Sequence, residues 1–468
     1  MVFSSIPFLY YFLPCVLFVY FLVPQKAKNT VLLVFSLLFY AWGEPVYVLL
    51  MLFTILIGYI SGLLLEKSMN HSYLYRKPKW ILTGSLAVFV GIFVYFKYTD
   101  FFIMNVNAVT GLSIPLLQVL LPIGISFYTF QIISYLVDVY RKEVPAQKNF
   151  ISLAAYVTMF PQLIAGPIVR YSAVSKQLDN RIYTWDMIEG GITRFIIGLS
   201  KKVLIANELG ELCDIFRSSN EKSVVYYWLY AIAFMLHIYF DFSGYSDMAI
   251  GLGKIMGFTF PENFNYPYIS GSITEFWRRW HMSLGTWFRD YVYIPLGGNR
   301  VARIIWYRNI FIVWLFTGLW HGASWNFMVW GLYFGILLVM EKNWFLKILE
   351  KKRWLGHVYV LFALVIGFVI FNASDMVQAL DDIRCMMGIA RLPFSSTETM
   401  YYLRSYGITI LAGILGATPI VKMAAARMQN YQNVLVSIMK SAVLIGLLLL
   451  STAYLVDGSF NPFLYFRF

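Results

Sequence analysis

The sequence predicts an all-α polytopic membrane protein, with about 11 transmembrane helices plus re-entrant and interfacial amphipathic helices. Three observations carry that prediction. The 468 residues are 59% hydrophobic and only 13% charged, with a mean hydropathy of +0.65, far from the mix of a soluble globular domain. The apolar residues fall in runs of about 20, the length at which a helix crosses the hydrocarbon core of a bilayer. The Lys and Arg residues sit in short connections between those runs, where they set orientation. No soluble domain has room to fit, so residues 1–468 are expected to form one integral membrane domain with a motif-rich core at about 150–342.

The net charge of +13 does not point to nucleic acid, because the cations are dispersed rather than clustered on one face. Cys15, Cys213 and Cys385 are too few and too scattered for a disulfide framework or a metal site. The first apolar run, 6–23, has no basic residue before it and no small-residue cleavage site, so it is expected to be a retained span. Lys26 and Lys28 follow it, which places the N-terminus outside.

Further spans are predicted at 30–43, 46–65, 80–97 and 115–138, with basic residues in every second connection. Residues 150–167 are apolar but punctuated by Pro161, Gly166 and Pro167, and basic on both flanks. Such a stretch is expected to be re-entrant, because irregular backbone is tolerated at membrane depth only where protein or water lines it. Residues 188–205 and 224–251 are expected to run out and back, although Lys201 and Lys202 near the outer end of the first oppose that orientation. Ser272-Ile273-Thr274-Glu275 is a capping box that starts a helix at about 273. From Phe276 to Tyr291 the aromatic residues share one arc of the helical wheel, opposite Arg278, Arg279 and Arg289. That pattern predicts an amphipathic helix at the cytoplasmic interface, ending near Pro295. The runs 304–320 and 325–340 have basic outer flanks and are expected to form a hairpin with His321 at its tip. Residues 355–373, 405–421 and 436–456 complete the predicted spans.

The titratable residues within these runs are the candidates for chemistry. His321 lies in Gly318-Leu319-Trp320-His321-Gly322 with Ser324 and Asn326 close by. It reads either as a hydrogen-bonded core histidine or as a general base held near neutrality by burial. His281 sits at the edge of the amphipathic arc, where packing is the simpler reading. Arg278 and Arg279 suit lipid phosphates or a phosphate-bearing acyl donor. Asp241 and Asp247, at the end of a membrane run, require partners, for which the nearby arginines are the expectation. There is no Walker loop, no His/Glu/His zinc pattern and no Gly-x-Ser-x-Gly elbow.

Several longer motifs occur in order: Phe160-Pro161-Gln162-Leu163-Ile164-Ala165-Gly166-Pro167-Ile168, the run 242–251, Pro261 to Tyr268, Glu275 to Leu284, Tyr293 to Gly298, and Gly318 to Gly322. Together they resemble the membrane-bound O-acyltransferase (MBOAT) family, and within it the branch that serves bacterial alginate O-acetylation. The resemblance implies that His321 is the family's essential histidine and His281 its second, cytoplasm-facing one. It implies a helical bundle thinned at its centre, where a donor tunnel meets an acceptor funnel. Arg278, Arg279, Trp320, Asn326, Asp241 and Tyr245 are the candidate substrate- and donor-binding residues.

The function so implied is O-acetyl transfer from a cytoplasmic thioester, acetyl-CoA being the expected donor substrate, toward an exported cell-surface polysaccharide. The resemblance further implies a relay through an extracytoplasmic acetyltransferase partner, in the cytoplasmic membrane of a bacterium. No tightly bound cofactor or metal is expected, and membrane lipids are the expected surroundings. The resemblance leaves a second substrate reading, D-alanyl transfer toward teichoic acid, and the residues leave a transporter or channel lined by 241–247 and His321, and a non-catalytic scaffold.

Overall fold

The computed structural model describes residues 2–70, 78–429, 434–458 and 463. Among them the regular secondary structure is helical throughout, as required of a chain whose backbone groups must pair within one segment in lipid. The chain divides into two compact units, residues 1–195 with 249–261, and residues 196–248 with 262–468.

In the first unit, a π-turn at Phe8–Phe12 leads into α1 (Leu13–Leu22), followed by α2 (Lys28–Ala41), α3 (Tyr47–Asn70) and α4 (Pro78–Thr110). Helices α3 and α4 have the length and hydropathy of full spans. Ser85 donates to the Ser61 hydroxyl at 2.9 Å between them. The predicted span at 115–138 is corrected: helix α5 begins only at Ile125 and ends at Tyr140. Pro115, Pro122 and Gly124 break the earlier half, and Gly124 adopts a φ of +76°. The exposed extended backbone there is held by Asp100, whose carboxylate accepts from the Leu117 and Val119 N–H groups at 2.8 and 3.1 Å.

The stretch expected to be re-entrant is α6 (Phe150–Thr158) and a single turn, α7 (Phe160–Leu163), broken at Met159. Nine residues rise only about 14 Å, too short to cross a membrane. Its motif residue Phe160 is fully buried, with the Phe12 and Phe39 rings 5.4 and 5.7 Å away. Helix α8 (Tyr171–Asp179) follows.

Helix α9 (Trp185–Ser200) continues through a π-turn, Lys201–Asn207, into α10 (Glu208–Ser218), and α11 (Val224–Ile255) follows. Of the long apolar helices α11 is the most enclosed. In the second unit a Cβ on Gly244 would lie 2.7 Å from the Gly198 carbonyl oxygen, so glycine is what lets these backbones approach so closely. On either side of that contact Lys201 pairs with Asp247 at 2.7 Å and Lys202 pairs with the fully buried Asp241. Each aspartate thus has a lysine partner. A buried carboxylate persists only with such a partner.

The amphipathic stretch is also corrected. Helix α12 does start at Ile273, capped by the Ser272 hydroxyl, which accepts from the Glu275 N–H at 3.0 Å. It ends at Arg279, and a second short helix, α13 (Met282–Phe288), begins after His281. His281 itself takes φ +44° and ψ +52°, a left-handed conformation that no continuous helix accommodates. The wheel drawn through 273–295 therefore fails beyond Trp280.

Helices α14 (Arg303–His321) and α15 (Trp325–Met340) form the expected hairpin. A Cβ on Gly318 would lie 2.3 Å from the Phe327 carbonyl oxygen, and one on Gly331 would lie 2.3 Å from that of Trp314, which fixes an antiparallel crossing. After α16 (Leu346–Lys351), helix α17 (Arg353–Asn372) packs on α15, where Tyr333 donates to the Ala363 carbonyl at 2.9 Å. Helix α18 (Met376–Met386) follows. The predicted span at 405–421 is instead broken, α19 (Thr397–Gly416) and α20 (Ile420–Gln429) bending by 68°, and α21 (Val434–Asp457) is a long apolar helix. Five helices among the described residues are long and apolar enough to cross a membrane, six if the bent pair is one span.

Candidate active site

His321 is the last residue of α14, and Gly322 ends the helix in an extended conformation. A side chain at 322 would collide with the Phe327 ring, whose nearest atom lies 2.2 Å from the position of a Cβ. The helix therefore stops here and delivers the imidazole to the interior, where it is 5% exposed. Three aromatic rings meet it edge to face: Trp320 at 5.0 Å, Trp330 at 5.1 Å and Phe371 at 5.2 Å. This cage excludes water and brings α14, α15 and α17 to one histidine.

Trp320 also touches the second histidine, its indole centroid lying 5.9 Å from that of His281. The sequence suggested one histidine deep and the other facing the cytoplasm; the structure sets both against a single indole. His281 is 3% exposed, and the Phe242 ring from α11 closes on it at 4.6 Å. Burial pulls its pKa down to about 3, so the imidazole is neutral at physiological pH.

His281 Nδ1 is 3.2 Å from Asn263 Oδ1, which also receives the Ser283 N–H at 3.2 Å and the Ser283 hydroxyl at 2.9 Å. The Asn263 amide donates in turn to the Ser246 hydroxyl on α11 at 3.1 Å, and its backbone carbonyl accepts the Met282 N–H at 3.0 Å. Asn263 is fully buried. It lies within the Pro261–Tyr268 motif, but only the structure brings it to the histidine.

Glu341 is the other residue that sequence reasoning passed over. Its fully buried carboxylate caps α12 from outside, accepting the Ile273 N–H, the Thr274 N–H at 2.9 Å and the Thr274 hydroxyl at 2.7 Å. A negative charge there complements the positive end of the helix dipole. It ties the end of α15 to the short helix that leads to His281.

The remaining candidates lie in three places. Asn326 caps α17, donating to the Ala373 carbonyl at 2.8 Å, so its amide holds the helix that carries Phe371. Asp241 and Tyr245 lie one turn apart on α11 on either side of Phe242, Asp241 in its ion pair and Tyr245 against Phe463 at 5.0 Å. Arg279 is bound to Glu275 at 2.9 Å and to the Asn265 carbonyl at 3.1 Å. Burial pushes the Glu275 carboxyl upward, but the Gly271 N–H and the Arg279 guanidinium outweigh it and hold the group below its usual range. Arg278 is exposed and lines a 590 Å³ cavity together with Glu275, Glu350 and Arg353.

The enclosed core of this all-helical chain thus sets two histidines against one tryptophan. The chain belongs to the membrane-bound O-acyltransferase family, whose sequence model matches residues 141–371, and it is an O-acyltransferase. Over the full length of both chains it is 39% identical to the Pseudomonas putida protein named "Probable alginate O-acetylase AlgI". A Pseudomonas aeruginosa protein of the same name is 44% identical across 80% of this chain and 73% of its own length. The peptidoglycan O-acetyltransferase of Helicobacter pylori is 33% identical across 100% of this chain and 98% of its own.

Proposed function

We propose that this chain transfers an acetyl group from a cytoplasmic thioester, acetyl-CoA, toward a hydroxyl of a cell-surface polysaccharide, with His321 as general base. The observation that carries the reading is His321 itself: a buried imidazole in an aromatic cage, at a helix end, beside a second buried histidine. The names of the full-length relatives supply the acetyl group and the glycan class.

In the proposed step His321 accepts the hydroxyl proton as the oxygen attacks the thioester carbonyl. The C–O bond forms, the C–S bond breaks, and the proton passes on to the departing thiolate. Trp320, Trp330 and Phe371 keep water from competing as the nucleophile. Arg278, with Arg353 across the 590 Å³ cavity, is the proposed contact for the phosphates of the donor. The immediate acceptor is the glycan or an extracytoplasmic acetyltransferase that passes the group on.

The chain lies, in this reading, in the cytoplasmic membrane of a bacterium with its N-terminus outside and about 11 transmembrane helices. Lys201 and Lys202 oppose that orientation by the charge rule, but each is paired with an aspartate and so carries little weight as a topological signal.

The test is an assay of membranes bearing the chain with acetyl-CoA and alginate or peptidoglycan fragments, following thiol release and glycan-bound acetyl. The wild type should transfer acetyl, and His321→Ala should lose at least 100-fold, on the order of a general-base contribution, while remaining folded and inserted. Retained transfer in that variant would sink the assignment, and glycan flux without donor consumption would favour a transporter.

A further inference from the structure

Asn263 has an assignment that no free choice of side-chain orientation can undo. The Ser283 backbone N–H can only donate, so the Asn263 atom that receives it at 3.2 Å must be the carbonyl oxygen and not the amide nitrogen. The Ser283 hydroxyl donates to the same oxygen at 2.9 Å, and the amide nitrogen finds its acceptor in Ser246 at 3.1 Å. His281 Nδ1 lies 3.2 Å from that acceptor-only oxygen, so Nδ1 carries the hydrogen. In the neutral ring the lone pair is then on Nε2.

We infer that Asn263 is the positioning residue of this site: it locks His281 in the neutral Nδ1–H tautomer, so that His281 meets substrate through Nε2 as a hydrogen-bond or proton acceptor. The inference rests on the proposed acyl transfer and gives His281 a part in it. A ring whose outward nitrogen is an acceptor cannot polarise the thioester carbonyl by donating to it. What it accepts is an O–H or N–H of the bound substrates, the attacking hydroxyl or an amide of the donor arm.

The backbone supports the same reading. A histidine at φ +44° holds a strained conformation that persists only where its surroundings over-determine it. Here Asn263 does so from both sides, receiving the Met282 N–H on its carbonyl and Nδ1–H on its side chain. Through Ser246 it anchors the turn between α12 and α13 to α11. The strained residue is thereby held with Nδ1 facing the scaffold.

The experiment is ¹⁵N NMR of the full-length chain in nanodiscs with ¹⁵N-labelled histidine, at neutral pH, the His281 signals being assigned by their loss in His281→Gln. The wild type should show a protonated Nδ1 and an unprotonated Nε2. Asn263→Ala should mix the two tautomers and lower the turnover number with acetyl-CoA about 10-fold to 100-fold, the usual cost of losing such a supporting partner. Asn263→Asp, which keeps the acceptor, should retain the Nδ1–H form and recover most of the turnover. A wild type with the hydrogen on Nε2 overturns the inference, as does an Asn263→Ala variant that keeps the wild-type tautomer. The tautomer is read without turnover, so a chain that shows Nδ1–H yet transfers no acetyl would count against the proposed function and not against the role of Asn263.

Discussion

His321 and His281 are both buried but are held by different physics. His321 is surrounded by rings, and its position follows from where α14 must stop. His281 is held by hydrogen bonds in a left-handed turn, and its pKa is lowered to about 3 from an ordinary 6.5 by burial. The sign of the linkage follows directly. Between those values the unfolded chain binds a proton that the folded chain refuses, so stability falls as pH drops through that window. Thermal unfolding in detergent from pH 7 to pH 4 should therefore show a falling midpoint, and His281→Gln should flatten that slope. An unchanged slope in the variant would mean that His281 is solvated in the folded protein. Sequence alone singled out His321 because an ionisable group in an apolar run needs a reason, and His281 through the family resemblance. It did not find Asn263, since a side-chain amide in a loop carries no periodic signal.

At the scale of the element, the short helix α12 is the part that sequence patterning misjudged. Its start was legible, because Ser272 and Glu275 are local and three residues apart. Its end was not, because the break at His281 is imposed by Asn263, which lies 18 residues earlier in the chain. A wheel assumes helical continuity and cannot report a turn that a distant partner creates. The anchoring of α12 by Glu341 is equally non-local, at a separation of 68 residues. Glu341→Gln keeps the size but replaces one acceptor oxygen by a donor. Hydrogen bonds to a charged group contribute about 1.5–3 kcal/mol, so a stability loss of that order is expected, read as a lower unfolding midpoint and faster proteolysis within 265–300. No change in either would mean that packing alone holds α12. The 115–138 segment failed for the opposite reason: it is apolar enough to span, but its prolines and Gly124 forbid the helix.

For the molecule as a whole, the buried pair Lys202–Asp241 shows how the bundle tolerates charge. Both side chains are at most 2% exposed, and removing one partner leaves the other uncompensated at a cost of about 3–5 kcal/mol. Asp241→Asn should sharply lower the yield of monodisperse detergent-solubilised protein. The double variant Lys202→Met with Asp241→Leu should recover it, because apolar residues of similar volume replace a buried pair with little loss. A double variant that folds but transfers no acetyl would place these charges in the reaction. One that fails to fold would show that the pair specifies the packing of α11. The sequence by itself determined the helical class and the family, and marked the two histidines as candidates, because hydropathy and short motifs are local properties of the chain. The tertiary structure alone decided that the histidines share Trp320, that lysines pair with the two aspartates, and that an asparagine sets the tautomer. Those facts depend on contacts between residues far apart in the chain, which close only when glycines such as Gly244 and Gly318 let the helices come together.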